Sequence, residues 1–348
     1  MKTFLLPLIY LLSFQLISVE LIPFSKGDKW GFGDRFHNIV YPANFFSVSR
    51  FTEGVAKVET QKGSYAFLYP VGTMRSELFV HHESRLFKDG MVAIQNRQSK
   101  KWGFADIRLK IAVPCIYDQA GDFSEGMAWV KKNGKTGYVN KEGELIIPLL
   151  YSAGKDFKDG LFPVEKDGRW GYIDKEGKVR IGFRYKSAEP FSEKIAVVSD
   201  DLKQFFFIDD TGKQLFGRKF DFCASFSEGI ASVGIKAGSS SLLYGAVNTE
   251  GKLVIPMECG FIYPFSEGKA VCCLNNKYGY IDKTGTAVIP FEYYFAEAFD
   301  NGYAKVWTSV RSITEKHGNV TSTMNVLSSP VYINHKNEKY ICNGMKTP

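Results

Sequence analysis

The stretch FKDGLFPVEKDGRWGYIDKEG, residues 157–177, contains the two signatures that decide the fold of this chain. The first signature is Phe-x-Glu/Asp-Gly-x-Ala-x-Val, which here begins at Phe157. The second is Trp-Gly-Tyr/Phe, which here begins at Trp170 and is followed by Asp-Lys-Glu-Gly at residues 174–177. Asp accepts a hydrogen bond from a turn amide and Gly adopts a positive φ, so this tetrapeptide predicts a tight turn between two strands.

Both signatures recur along the chain. The first has a mean spacing of (299 − 51)/7, about 35 residues, and begins at Phe51, Phe87, Phe123, Phe157, Phe191, Phe226, Phe265 and Phe299. The second is intact at residues 30–32, 102–104 and 170–172, and altered copies begin at Tyr65, Thr136, Phe205, Tyr244, Tyr278 and Pro330. A repeat of this length predicts a tandem array in which neighbouring units share a core.

Each unit predicts three short strands. Strand a carries Ala-x-Val, strand b carries Trp-Gly-Tyr-Ile-Asp, and strand c carries an apolar pair followed by Pro, as at Ile147-Pro148 and Ile289-Pro290. Pro lacks the amide that a central strand needs, so it ends strand c. We therefore predict an all-β chain of about eight to nine short three-stranded antiparallel units, either closed like a propeller or open as a twisted array.

These motifs resemble the bacterial WG-repeat (KWG) family, over about residues 29–341. The resemblance implies a β-rich tandem array that serves as an interaction module without enzymatic activity. The units that begin at Tyr65, Phe205 and Pro330 depart from the family pattern, because no Trp-Gly remains in them.

The N-terminus predicts export. Lys2 precedes the apolar stretch 4–14, whose 11 residues are too few to span a bilayer, so we interpret residues 1–18 as a signal peptide. The alternative is a buried N-terminal segment. The repeat array would then occupy residues 19–348, secreted or in the cell envelope, with no transmembrane segment. A chain of 348 residues with 45% hydrophobic content is not disordered.

Length varies at one place in the unit. The distance from the Phe of the first signature to the next Trp position varies, whereas the distances around strands b and c are almost constant, so insertions concentrate at the tip between strands a and b. The longest is a Ser/Thr-rich insertion, predicted as a loop, at residues 307–329. In a repeat array these tips align along one edge, which is the expected binding face.

The tips are also basic. They hold 14 Lys and Arg against 5 Asp and Glu, whereas the whole chain has a formal net charge of +7. We predict a ligand-binding rim that attracts a protein or an anionic surface polymer or glycan. The alternative is that these lysines only solvate the turns. The candidate binding residues are Arg97, Lys100, Lys101, Lys131, Lys132, Lys135, Arg169 and Trp307.

No catalytic constellation stands out. The recurring acids, such as Glu53 and Glu125, occur in every unit, whereas a glycosidase needs two particular carboxylates across one cleft. We expect a non-enzymatic binding scaffold with no cofactor and no metal, and export argues against a nucleic-acid partner. The alternative function is an exported propeller-type hydrolase that acts on glycans.

The cysteines occupy repeat positions. A chain this long can build a core without disulfides, so we expect buried free thiols at Cys223 and Cys272, with a disulfide possible at Cys273. The six cysteines are Cys115, Cys223, Cys259, Cys272, Cys273 and Cys342.

Overall fold

The computed structural model describes residues 21–70, 72–76, 85–238, 241–317, 320–327 and 330–341. The predicted signal peptide and Cys342 lie outside these residues. The described chain is built from β-strands and turns, and none of it forms a helix long and apolar enough to span a bilayer. The prediction of an all-β array is confirmed.

The strands form nine small antiparallel sheets, the blades of a propeller, and one additional hairpin. Blade 1 contains β1 (Ile22–Lys26), β2 (Lys29–Gly33) and β3 (Ile39–Phe45). Blade 2 contains β4 (Ser47–Val48), β5 (Ala56–Gln61), β6 (Ser64–Leu68) and β7 (Met74–Arg75). Blade 3 contains β8 (Met91–Gln95), β9 (Trp102–Asp106) and β10 (Ile111–Tyr117). Blade 4 contains β11 (Gln119–Ala120), β12 (Met127–Lys132), β13 (Lys135–Asn140) and β14 (Leu145–Tyr151). Blade 5 contains β15 (Ala153–Gly154), β16 (Phe162–Lys166), β17 (Arg169–Ile173) and β18 (Val179–Tyr185). Blade 6 contains β19 (Ser187–Ala188), β20 (Ala196–Ser199) and β21 (Phe206–Ile208). Blade 7 contains β22 (Phe222–Cys223), β23 (Ile230–Ala237), β24 (Ser241–Asn248) and β25 (Leu253–Cys259). Blade 8 contains β26 (Phe261–Ile262), β27 (Ala270–Leu274), β28 (Lys277–Ile281) and β29 (Ala287–Tyr293). Blade 9 contains β30 (Phe295–Ala296), β31 (Tyr303–Trp307) and β34 (Val331–Asn334).

The predicted strands a, b and c are present in seven of the nine blades, whereas blades 6 and 9 form no strand c among the described residues, and many blades gain a further strand. In blade 4 the three strands are β12, β13 and β14, and the two-residue strand β11 pairs with the end of β12. The prediction that Pro ends strand c was wrong, because Pro148 and Pro290 lie inside β14 and β29, where a bulge interrupts the pairing with strand b. The insertion at 307–329, which we predicted as a loop, contains the paired strands β32 (Val310–His317) and β33 (Val320–Leu327). Its many β-branched residues favour extended backbone.

The array is a closed ring of nine blades. β1 supplies a ninth strand a, although its sequence lacks the Phe-x-Glu/Asp-Gly signature before it. Blade 9 meets blade 1 where Tyr340 Oη donates to the Asp34 carbonyl oxygen at 2.6 Å. It also meets blade 2, where the Arg50 guanidinium lies 3.3 Å from the Asp300 carboxylate. The sequence left open whether the array closes, and these contacts between its two ends answer that question.

The Gly of the Trp-Gly signature is required by the path of strand c. Strand c bulges as it crosses strand b, and its carbonyl passes directly over this Gly. A Cβ at Gly171 would lie 2.6 Å from the Ile181 carbonyl oxygen, and one at Gly279 would lie 2.7 Å from the Ile289 carbonyl oxygen. Gly is therefore the residue that allows strands b and c to approach this closely.

Where the same signature carries Tyr, its hydroxyl ties the blade to the next one. Tyr172 Oη donates to the Glu189 carbonyl oxygen at 2.7 Å, and Tyr280 Oη donates to the Glu297 carbonyl oxygen at 2.8 Å. Both rings are fully buried, and burial raises the pKa of each Tyr, which keeps the hydroxyl protonated as a donor.

A recurring apolar pair fills six of the interfaces between blades. The aromatic residue at the end of one strand c shares a hydrophobic cluster with a Val on strand a of the following blade. Both members are less than a tenth exposed, which makes this pair part of the core. The pairs are Phe45 with Val58, Tyr117 with Val130, Tyr151 with Val164, Tyr185 with Val198, Phe220 with Val233, and Tyr293 with Val306.

Candidate functional site: the face of the a–b tips

The ring has two different faces. Apart from β1, each strand a begins at the Glu-Gly type turn of the first signature and ends at an a–b tip, so the two kinds of turn lie at opposite ends of the same strand. Consecutive Glu-Gly turns are hydrogen-bonded to one another around the ring, which gathers them on one face. The a–b tips therefore project from the opposite face, as the sequence predicted for an ordered array.

The acids of the Glu-Gly turns act as connectors between blades. Glu53 Oε1 accepts from the Asp89 amide at 2.6 Å, and Glu125 Oε1 accepts from the Asp159 amide at 2.9 Å. The same contact recurs in later blades, where Glu228 Oε2 accepts from the neighbouring turn at 2.9 Å. These acids also hold a positive φ, so they serve the turn as well as the next blade. Their recurrence thus has a structural cause.

On the tip face, two neighbouring tips bring six of the eight candidate residues together. The tip of blade 3 spans 96–101 and carries Arg97, Lys100 and Lys101. The tip of blade 4 is the two-residue turn between Lys132 and Lys135, and Lys131 immediately precedes it. We call these six residues the basic patch.

Asp118 joins the two tips of the basic patch. It is the single residue between β10 and β11, and its Oδ1 forms an ion pair with Lys101 Nζ of blade 3. Its Oδ2 accepts from the Asn133 amide of blade 4 at 2.7 Å. The hydrogen bonds from Lys101 and Asn133, together with the nearby positive charges, hold the pKa of Asp118 below its ordinary value. Asp118 therefore stays charged and positions both tips.

The basic patch keeps most of its positive charge despite Asp118. Lys101 is partly neutralised by the ion pair, which lies near the surface and is screened by solvent. No carboxylate among the described residues is within ion-pair distance of Lys100, Lys131 or Lys135, and Lys100 and Lys135 are exposed. Lys100, Lys131 and Lys135 thus remain available to an anion.

The other two candidate residues lie elsewhere. Arg169 is on the tip of blade 5 next to the basic patch, and its Nη1 donates to the Arg184 carbonyl oxygen at 3.1 Å. Trp307 ends β31 in blade 9, and its ring packs edge-on against Phe295 with centroids 5.1 Å apart. Trp307 is half-buried and separated from the basic patch by blades 1 and 2, so the two do not form one site.

Sequence reasoning missed Asp118. The position after the aromatic residue of strand c holds Phe46, Ser152 and Lys186 in other blades, so an acid there departs from the repeat. Asp221 is the equivalent acid of blade 7, and its Oδ2 accepts from the Lys236 amide at 2.9 Å. A search for acids that stand between two basic tips would have found Asp118.

The comparisons with known proteins agree with this architecture. The family model described as WG containing repeat matches residues 30–65, 102–135, 137–170, 170–201, 205–236, 244–278 and 278–306. No curated protein matches the sequence. A solved eukaryotic initiation factor is 9% identical, with 91% of this chain and 93% of that chain covered and a TM-score of 0.54. BamB from Moraxella catarrhalis is 12% identical, with 75% and 90% covered and a TM-score of 0.46. The likeness to the initiation factor, at this identity, is one of fold alone.

Proposed function

Since this chain belongs to the family of WG containing repeats, we propose that it is a binding scaffold without enzymatic activity, whose a–b tips bind an anionic partner. The observation that carries this proposal is the basic patch, in which two adjacent tips present six cations around one carboxylate. The partner class that fits is an acidic protein or an anionic surface polymer or glycan, because repeated negative charges can engage several lysines at once.

The positive charge of the scaffold is concentrated at the a–b tips. The tips carry an excess of nine positive charges, whereas the whole chain has +7, so the remainder of the chain is slightly negative. An anionic partner is therefore attracted to the tip face and not to the opposite face. This attraction acts between exposed charges, so added salt weakens it.

Binding without turnover is supported by the use of the recurring acids. Glu53, Glu125 and Glu228 accept hydrogen bonds from neighbouring turns and hold the ring together. A pair of carboxylates for glycan hydrolysis would have to be free to donate a proton and to attack or activate water. The structural role of these acids therefore favours the scaffold over the hydrolase.

We further propose that the scaffold acts outside the cytoplasm. The apolar stretch 4–14 has the length of a signal-peptide core. The first strand, β1, begins at Ile22, beyond the expected cleavage position after Ser18. Cleavage there would leave all 34 described strands in the processed chain.

The test compares two triple variants of equal charge on opposite faces. Lys100→Glu/Lys131→Glu/Lys135→Glu reverses the basic patch, and Lys175→Glu/Lys213→Glu/Lys252→Glu reverses exposed lysines of the turns between strands b and c. Each lowers the formal net charge from +7 to +1. On a heparin column eluted with a salt gradient, the patch variant should lose retention and the control should keep most of it. Both should keep the thermal stability of the native protein, because exposed substitutions typically change it by less than about 0.5 kcal/mol.

Equal elution of the two variants would mean that net charge alone governs retention and would overturn the basic patch as a site. Absence of retention for the unaltered protein would refute an anionic partner of this kind.

A further inference from the structure

The interface between blades 7 and 8 departs from the recurring apolar pair. At the other described interfaces an aromatic residue of strand c packs with a Val of the next strand a, as Tyr151 does with Val164. Between blades 7 and 8, Cys259 takes the aromatic position and Cys272 takes the Val position. Both partners of one contact have thus been replaced by Cys, which indicates a role for the pair and not for either thiol alone.

The two sulfur atoms are in direct contact. Cys272 Sγ lies 2.9 Å from Cys259 Sγ, although the residues belong to β27 and β25 of different blades. Cys272 is fully buried, as the sequence predicted, whereas Cys259 is partly exposed and open to a reagent in solution. The Cys272 thiol donates to Cys259 and thereby lowers the pKa of Cys259, which favours the thiolate that starts thiol exchange.

We propose that Cys259 and Cys272 are a covalent modification site, where a low-molecular-weight disulfide such as oxidised glutathione converts the two thiols into a disulfide joining blades 7 and 8. The Cys259 thiolate attacks one sulfur of the oxidant, forms a mixed disulfide and releases one glutathione thiolate. Cys272 then attacks Cys259 Sγ, and its proton passes to the second glutathione, which leaves as a thiol. The two cysteines are oxidised by two electrons in total, and one oxidised glutathione is reduced to two glutathione molecules.

The position of Cys273 makes the pairing specific. Adjacent residues of a strand point to opposite faces of the sheet, so Cys273 points away from the contact that Cys272 makes. Cys273 pairs across the strands with Phe261 and Tyr278. No other two thiols among the described residues are within hydrogen-bonding distance of each other. The structure therefore favours a disulfide between Cys259 and Cys272 over one that involves Cys273.

The disulfide would stabilise the ring at one interface. It closes a loop of 13 residues and so restricts the unfolded chain, and it adds a covalent link between two blades that packing and hydrogen bonds already hold together. We expect oxidation to raise the Tm by a few degrees.

The experiment uses the full chain, reduced, purified and then incubated with oxidised glutathione. Free thiols are alkylated after denaturation, and peptides are mapped by mass spectrometry without reduction. We expect one cross-linked pair of peptides containing Cys259 and Cys272, with Cys115, Cys223 and Cys273 alkylated. Cys273→Ser and Cys223→Ser should keep both the cross-link and the rise in Tm.

The matched control is Cys259→Tyr/Cys272→Val, which restores the recurring apolar pair and so preserves folding while removing both thiols. Its Tm should not respond to oxidised glutathione. Alkylation of both Cys259 and Cys272 after oxidation, a persistent mixed disulfide on Cys259, or a cross-link from Cys259 to Cys273 would each overturn the proposal. None of these readouts depends on the tip face, so the result is independent of the proposed function.

Discussion

Substitution of a Trp-Gly glycine tests the physical reason for the signature. Gly171 lies in β17 beneath the bulge of β18, where an added Cβ would be 2.6 Å from the Ile181 carbonyl oxygen. The limit for a real Cβ contact is 3.0 Å, so in Gly171→Ala the carbonyl must move by at least 0.4 Å. Overpacking of this kind costs about 1–3 kcal/mol, and the strain falls on backbone that has no flexible side chain to absorb it.

Gly182→Ala in the same blade is the matched control. Gly182 lies in β18, and an added Cβ there meets no atom within 4 Å. Gly in a strand interior is less favourable than Ala by roughly 0.5–1 kcal/mol, so this variant should be slightly more stable than the native protein. The two glycine-to-alanine changes are chemically identical, and the structure predicts opposite signs for them.

Urea unfolding followed by tryptophan fluorescence measures the difference. We expect the midpoint of Gly171→Ala to fall and that of Gly182→Ala to stay or rise, with similar slopes for both. The expected separation between the variants is about 1.5–4 kcal/mol. If Gly171→Ala unfolded within about 0.5 kcal/mol of the native protein, the close approach of strand c would not be the reason for Gly in this signature.

Two other predictions concern single contacts. Tyr172→Phe removes the hydrogen bond to the Glu189 carbonyl oxygen at 2.7 Å, so it should lower the free energy of unfolding by about 1 kcal/mol. A urea denaturation curve that matches the native protein would contradict a role for this bond between blades. Lys101→Met removes the ion pair with Asp118, so the lowered pKa of Asp118 should rise towards its ordinary value in a carboxyl-carbon NMR titration. Because the folded pKa is depressed, the stabilisation by Asp118 is present above the ordinary Asp pKa and is lost as the pH falls through the lowered value. An unchanged pKa would show that Lys101 is not its partner in solution.

The strands and turns were predictable from the sequence because their causes are local. The Asp-x-x-Gly turns need an acceptor side chain and a positive φ within four residues, as at Asp174, whose Oδ1 accepts from the Lys178 amide at 2.8 Å. The constant distances around strands b and c likewise placed the variable tips at the a–b turns. The hairpin β32–β33 was missed because the sequence of the insertion has no repeat to compare with.

The candidate site was only partly predictable. Charge counting found the lysines, since tips can be recognised from the repeat and their charges counted. The position of Trp307 at the start of the longest tip put it in the same set, and only the ring shows that blade 9 holds this residue away from the basic patch. Asp118 was not predicted because its role is to contact two tips, and these contacts form only where the tips are neighbours in space.

The repeated motif by itself determined the local structure of each blade, because strand pairing and turn geometry depend on residues a few positions apart. Only the tertiary structure decided how many blades close the ring, since β1 has no signature and becomes a strand a through contact with its neighbours. The same is true of the Cys259–Cys272 pair. Its two residues belong to different blades, and their sulfur atoms meet only when one blade packs against the next.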